Sequence, residues 1–109
     1  MIDVLQALND NLQKLKTAIR KRYDVSVERA NAEYVYRSTL GAEMAEAKAN
    51  GMAATSLYDY CRGLQHVANL REKRDILISQ EEYLTQMIFY YKTEIRIAEG
   101  MAAAERSGI

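Results

Sequence analysis

Residues 56 to 75, SLYDYCRGLQHVANLREKRD, gather the side chains that most often do chemistry: the only cysteine, Cys61, the only histidine, His66, two tyrosines and four basic residues. A thiol and an imidazole five residues apart suggest a nucleophile with its base, or two soft metal ligands. Zinc requires three or four such ligands, and the chain offers no other cysteine or histidine. No serine or cysteine stands in a nucleophile motif, and no glycine-rich loop could cradle a phosphate. Among the carboxylates, Glu81 and Glu82 are adjacent on a helix and diverge. Glu43 and Glu46 share a face but lack the Glu-x-x-His companion of a di-iron site. The expectation is therefore a protein without catalytic residues, metal or cofactor, and not an enzyme.

Binding is the chemistry that remains. Tyr58, Tyr60 and Arg62, with Arg71 on the following turns, supply flat amphipathic rings and forked cations, a set suited to anchoring a protein partner. The plainer alternative is that these tyrosines pack along helical stripes with their hydroxyls at the rim. A second candidate is KLKTAIRKR, residues 14 to 22, in which Lys14, Lys16, Arg20, Lys21 and Arg22 are uninterrupted by any acid. Such a stretch on a helix can lie on nucleic acid or an acidic partner. Alternatively it is neutralised by Glu94, Glu99 and Glu105, which an antiparallel fold would bring to the same end.

These residues are positioned by helices. The chain has no proline and five glycines in 109 residues, so most helix breakers are missing. Leu5, Leu8, Leu12, Leu15 and Ile19 alternate in steps of three and four, the seam of a helix packed on another. Tyr23, Val27, Ala30, Tyr34, Gly41, Met44 and Lys48 continue it more loosely, with YDVSVER as a weak point where Asp24 or Ser26 could start a new helix. Asn50-Gly51 suits a left-handed helix end, and Ser56 with Asp59 reads as a capping box opening a short helix that stops at Gly63. Beyond it Val67, Leu70, Leu77, Leu84, Ile88, Tyr91, Ile95, Ala98 and Ala102 occupy a and d positions of one heptad register. The spacing predicts helices over about residues 3–49, 55–62 and 64–105 in a single helical-hairpin domain spanning 1–109.

Two heptad positions are polar: Arg74 and Glu81 stand at a sites among aliphatic neighbours. Counting back from a corner near residue 57 sets Arg74 opposite Gly41, and Glu81 opposite Tyr34, whose hydroxyl could donate to it. Tyr34, Arg74 and Glu81 would then be buried polar residues that fix register and subunit number. Two helices of about 45 residues leave more apolar surface than they can cover for each other. The expected fold is all-α: an antiparallel long-helix hairpin with a short connecting helix, oligomerising as a homodimer into a four-helix bundle, or into a higher oligomer.

Fifteen basic and fifteen acidic residues leave no net charge, so no global field draws the chain to nucleic acid or to a membrane. No stretch approaches the length of a membrane span, and MIDVLQALNDNLQ carries acidic and amide residues where a secretion signal needs basic and then apolar ones. With its single cysteine, this leads to the expectation of a cytoplasmic protein with no membrane partner.

Tyr36-Arg37 with Leu40, Ala49-Asn50-Gly51-Met52, Thr55, Arg62-Gly63, Val67-Ala68 with Leu70-Arg71, Arg74-Asp75 and Glu94-Ile95-Arg96-Ile97 resemble a group of small helical proteins of bacteriophages and prophages. The resemblance covers roughly residues 30 to 98. The chain departs from it at Leu64, where the group has an acidic residue, which bears on the start of the last helix. Genes of that group lie among early replication and recombination genes, and no activity transfers with the likeness. It implies a phage or prophage accessory protein in a bacterial host, binding a protein or nucleoprotein partner in replication, recombination or host takeover. Direct nucleic-acid binding through the basic stretch is one alternative. Another is an oligomer that sequesters a small anionic ligand, as anti-defence proteins do.

Overall fold

The structure, a computed structural model, describes residues 3–108. It is all helical, with no strand among the described residues: α1 spans Val4–Ala49, α2 Ala54–Arg62 and α3 Gln65–Arg106. Each boundary lies within a residue or two of the expected one. The residues divide into two compact units: α1 up to Asp24 with α3 from Gln80 onward, and Val25–Ser79.

In the Val25–Ser79 unit, α1 and α3 run antiparallel and α2 closes the corner. α1 ends in paired hydrogen bonds, Gly51 N–H to the Lys48 carbonyl and Met52 N–H to that of Ala47, both 3.0 Å. Gly51 sits at φ 91°, the left-handed conformation that closes this kind of helix end and that only glycine adopts without strain. The expected capping box at Ser56 is not formed. α2 begins two residues earlier, with Ala53 as its cap and no side-chain cap bond, so Ser56 lies inside the first turn and its N–H bonds the Ala53 carbonyl. Leu64 stands just before α3. Its carbonyl accepts the Ala68 N–H at 2.8 Å, while its side chain packs against the core instead of capping.

That core joins Tyr36 and Leu40 of α1, Cys61 of α2 and Val67 of α3, with Met44, Ala47, Leu64 and Leu70 against them. Leu57 and Cys61, one turn apart, are the buried face of α2. Helix α1 crosses YDVSVER without a break. Val25, only 3% exposed, is part of the inner face, and its burial outweighs the weak helix preference of a β-branched residue.

The unit of α1 up to Asp24 and α3 from Gln80 is also an antiparallel pair, tied by Arg22 Nε donating to Thr85 Oγ1 at 2.8 Å. Among its described residues only Ala18, Ile95 and Ala98 are buried.

The expected seam of α3 faces inward throughout, every one of its nine residues being buried or half-buried. The expected seam of α1 is split. Leu8 and Leu15 face α3, whereas Leu5, Leu12 and Ile19 face outward, as do Tyr23, Val27 and Tyr34. The true inner stripe follows Ala18, Val25, Ala32 and Tyr36 at seven- and four-residue steps. Small residues let the two backbones approach, so the large aliphatic residues beside them are turned out.

Candidate functional site

A groove of about 370 Å³ opens in the Val25–Ser79 unit where the three helices meet. α1 contributes Tyr36, Arg37 and Gly41, α2 contributes Tyr58 and Arg62, and α3 contributes Arg74. The helical spacing explains the grouping: 37 and 41 are one turn apart, as are 58 and 62, so each pair shares a face.

Arg74 is half-buried. Its guanidinium lies 4.7 Å over the ring of Tyr36 and donates through Nη1 to Glu33 Oε2 at 3.2 Å, while Nη2 approaches Asp75 Oδ1 at 2.9 Å. Burial presses against its charged form, but the hydrogen bonds to Asp75 and Glu33 more than offset this and its pKa is raised. Glu33 is held below the usual carboxylate range, chiefly by the hydrogen bond from Arg37 Nε and, against partial burial, by Arg74. Arg62 is placed differently. Its guanidinium lies 5.7 Å over the Tyr58 ring, and a hydrogen bond to the Tyr36 hydroxyl favours its charge. Its Nε is buried with no hydrogen-bond partner.

The placement of Arg74 corrects the register count. It meets Glu33 and Tyr36, and Glu43 receives His66 at 3.0 Å. α1 therefore overruns the start of α3, and its last turns pack against α2, which shifts every opposing pair along α1. Tyr34 is not a buried polar residue: it is 71% exposed, and the tyrosine that serves Arg74 is Tyr36, two residues on and across the helix. Glu81 is half-buried in the other unit.

The four corner residues do not form one surface. Tyr58 and Arg62 line the groove just described, whereas Tyr60 lines a second depression with Glu43, Glu46, Met52 and Leu64. Arg71 Nη1 donates to the Arg62 carbonyl at 3.2 Å and braces the end of α2. Cys61 and His66 diverge as well. The thiol is in the core with no solvent exposure, and the imidazole faces Glu43 at the surface. No group of three or more His, Cys, Asp or Glu residues among the described residues could hold a metal ion.

The basic stretch lies in the other unit. Lys14, Lys16, Arg20 and Lys21 are exposed, and none forms an ion pair with Glu94, Glu99 or Glu105. The pairing of Arg22 with Thr85 sets a register that carries Glu99 and Glu105 past the stretch, toward the start of α1. Lys14 and Lys21 instead border an apolar groove of about 360 Å³ with Tyr83, Leu84, Met87 and Tyr91. No described helix is long and apolar enough to cross a membrane.

Sequence reasoning missed Tyr36, Arg37 and Gly41 as members of the groove. The signal was present in the Tyr36-Arg37 pair one turn before Gly41, but nothing in the spacing said that α2 would fold over that turn. The chain matches no protein family, no curated protein and no solved structure.

Proposed function

We propose that the chain is a non-enzymatic helical accessory protein that acts by binding, and that its working form is built by self-association of its long helices. The observation that carries this is the unit of α1 up to Asp24 and α3 from Gln80. Leu5, Leu12 and Ile19 recur every seven residues on the outside of α1, and Tyr83, Tyr90 and Ile97 every seven on the outside of α3. The three on α3 are 62%, 53% and 52% exposed, in a unit whose described residues include only three that are buried. A seven-residue apolar repeat is the pattern that a further helix packs against, and two helices alone leave it in water. A second copy, bringing the same stripes, is the occupant that satisfies this with no other component.

The resemblance to small phage and prophage proteins supports an accessory role in replication, recombination or host takeover, with a protein or nucleoprotein partner. Light scattering on the purified chain tests the first step. A stable dimer or higher oligomer is expected, and Tyr90→Glu with Ile97→Glu should return it to a monomer. A monomeric wild-type chain at micromolar concentration would refute self-association.

A second reading is favoured by the exposed cations of α1 that form no ion pair among the described residues, Lys14, Lys16, Arg20 and Lys21: together with Arg22, which Thr85 holds beside them, they contact nucleic-acid phosphates directly. It predicts affinity for single-stranded or duplex DNA that falls steeply with salt and with Lys21→Glu. Binding that ignores both would remove it.

A further inference from the structure

We infer that the groove where α2 folds over α1 and α3 is a binding site for a small phosphorylated ligand, with Arg62 receiving the phosphate. It stands independently of self-association, since every residue involved lies in the Val25–Ser79 unit.

Three observations converge. The first is charge. Arg37, Arg62 and Arg74 all line the groove, and two of them are met by carboxylates, Arg37 by Glu33 and Arg74 by Glu33 and Asp75. Arg62 takes part in no ion pair among the described residues, so its charge is the one left unbalanced. The second is the Arg62 Nε, buried with no acceptor. A buried donor without a partner is costly, and an anion in the groove is the kind of acceptor it lacks. The third is Gly41. Glycine inside a helix weakens it relative to alanine, and here neither φ nor packing demands it: a Cβ at this position would meet nothing within 4 Å. A larger side chain would stand in the groove, so the glycine keeps it open.

The chemistry selects phosphate. Forked guanidinium groups bind phosphate oxygens bidentately, and Arg37 and Arg74 have N–H donors beyond those facing Glu33 and Asp75. A phosphate monoester carries about two negative charges near neutral pH, which suits one unbalanced arginine flanked by two partly neutralised ones. The half-exposed Tyr58 ring at the rim offers a flat face to an organic group. A volume of about 370 Å³ is at the small end of ligand sites.

The test is calorimetric titration of the full chain with adenosine monophosphate, inorganic phosphate and adenosine. Adenosine monophosphate, inorganic phosphate or both should bind, and adenosine should not. Equal affinities would assign the site to free phosphate, and an advantage of about tenfold for the nucleotide to a phosphorylated organic ligand. Arg62→Met should weaken binding about tenfold or more. Gly41→Leu should do the same while leaving the ligand-free melting temperature unchanged or raised, because leucine is the better helix former and fills only the groove. Undiminished binding in Gly41→Leu would overturn the assignment. So would the absence of heat with either phosphate at about 1 mM, or a single strand of about 30 nucleotides binding where both small probes fail.

Discussion

At the residue scale, Arg74 shows how a polar group can occupy a heptad core position. Its guanidinium lies over the Tyr36 ring, and its charge is met by Glu33 and Asp75. The packing and the charge can be separated by substitution. Arg74→Ala removes both and should cost about 1–2 kcal/mol in chemical denaturation. Arg74→Met keeps the stem and leaves Glu33 to Arg37, so it should cost less than about 1 kcal/mol. A larger loss with methionine than with alanine would contradict this division. Glu33 supplies a pH signature. Its folded-state pKa is lowered, so its contribution to stability is present at neutral pH and is lost as the pH falls through the carboxylate range. Glu33→Gln should therefore unfold with a shallower pH dependence below about pH 5 than the wild type, and a matching slope would show that Glu33 is not coupled to folding.

At the element scale, α1 carries two apolar stripes, and the smaller residues won the inside. Ala18, Val25 and Ala32 set the distance to α3, and Ala18→Leu should force the helices apart at a cost of about 1–3 kcal/mol, read by urea unfolding. Two glycines of the same chain should respond in opposite senses. Gly51, at φ 91°, closes α1, so Gly51→Ala should lose about 1 kcal/mol or more. Gly41 is helical with open space where a Cβ would go, so Gly41→Ala should gain about 0.5–1 kcal/mol. Destabilisation by Gly41→Ala would mean that something packs there after all. Much of the element structure was legible: the inward heptad of α3, the Asn50-Gly51 stop and the three helix ranges follow from periodicity and turn chemistry. The inner face of α1 was not, because hydrophobic size is a poor guide when the partner demands closeness. The capping box was not either, because α2 starts where Leu57 and Cys61 can reach the core and not where the best capping side chain lies.

At the scale of the whole molecule, the proposed association through the exposed heptad stripes would make stability depend on concentration. If copies associate through them, the melting temperature should rise with protein concentration, and Tyr90→Glu with Ile97→Glu should abolish that rise. A melting temperature independent of concentration across a hundredfold range would count against the proposed assembly. The basic stretch belongs to this scale too, since its cations are unpaired by Glu94, Glu99 and Glu105, and charge held so near a seven-residue apolar repeat bears on which partners the unit admits.

The sequence by itself determined the class and the order of the elements. Helix is a local choice made by propensity, periodicity and the glycine stop, all written in neighbouring residues. It also marked Arg74 as a polar residue in a core position and grouped Tyr58, Tyr60 and Arg62 at the corner, without separating Tyr60 from the other two. Only the tertiary structure decided which residues those groups meet. The register of α1 against α3 depends on how far α1 runs past the start of α3 to receive α2, a distance set by the packing of Leu57, Cys61 and Val67. That packing brings Tyr36 and Glu33 to Arg74, turns Tyr34 to solvent and gathers three arginines beside Gly41. Residues more than twenty positions apart in sequence are joined there by contact alone, and no local spacing encodes such a meeting.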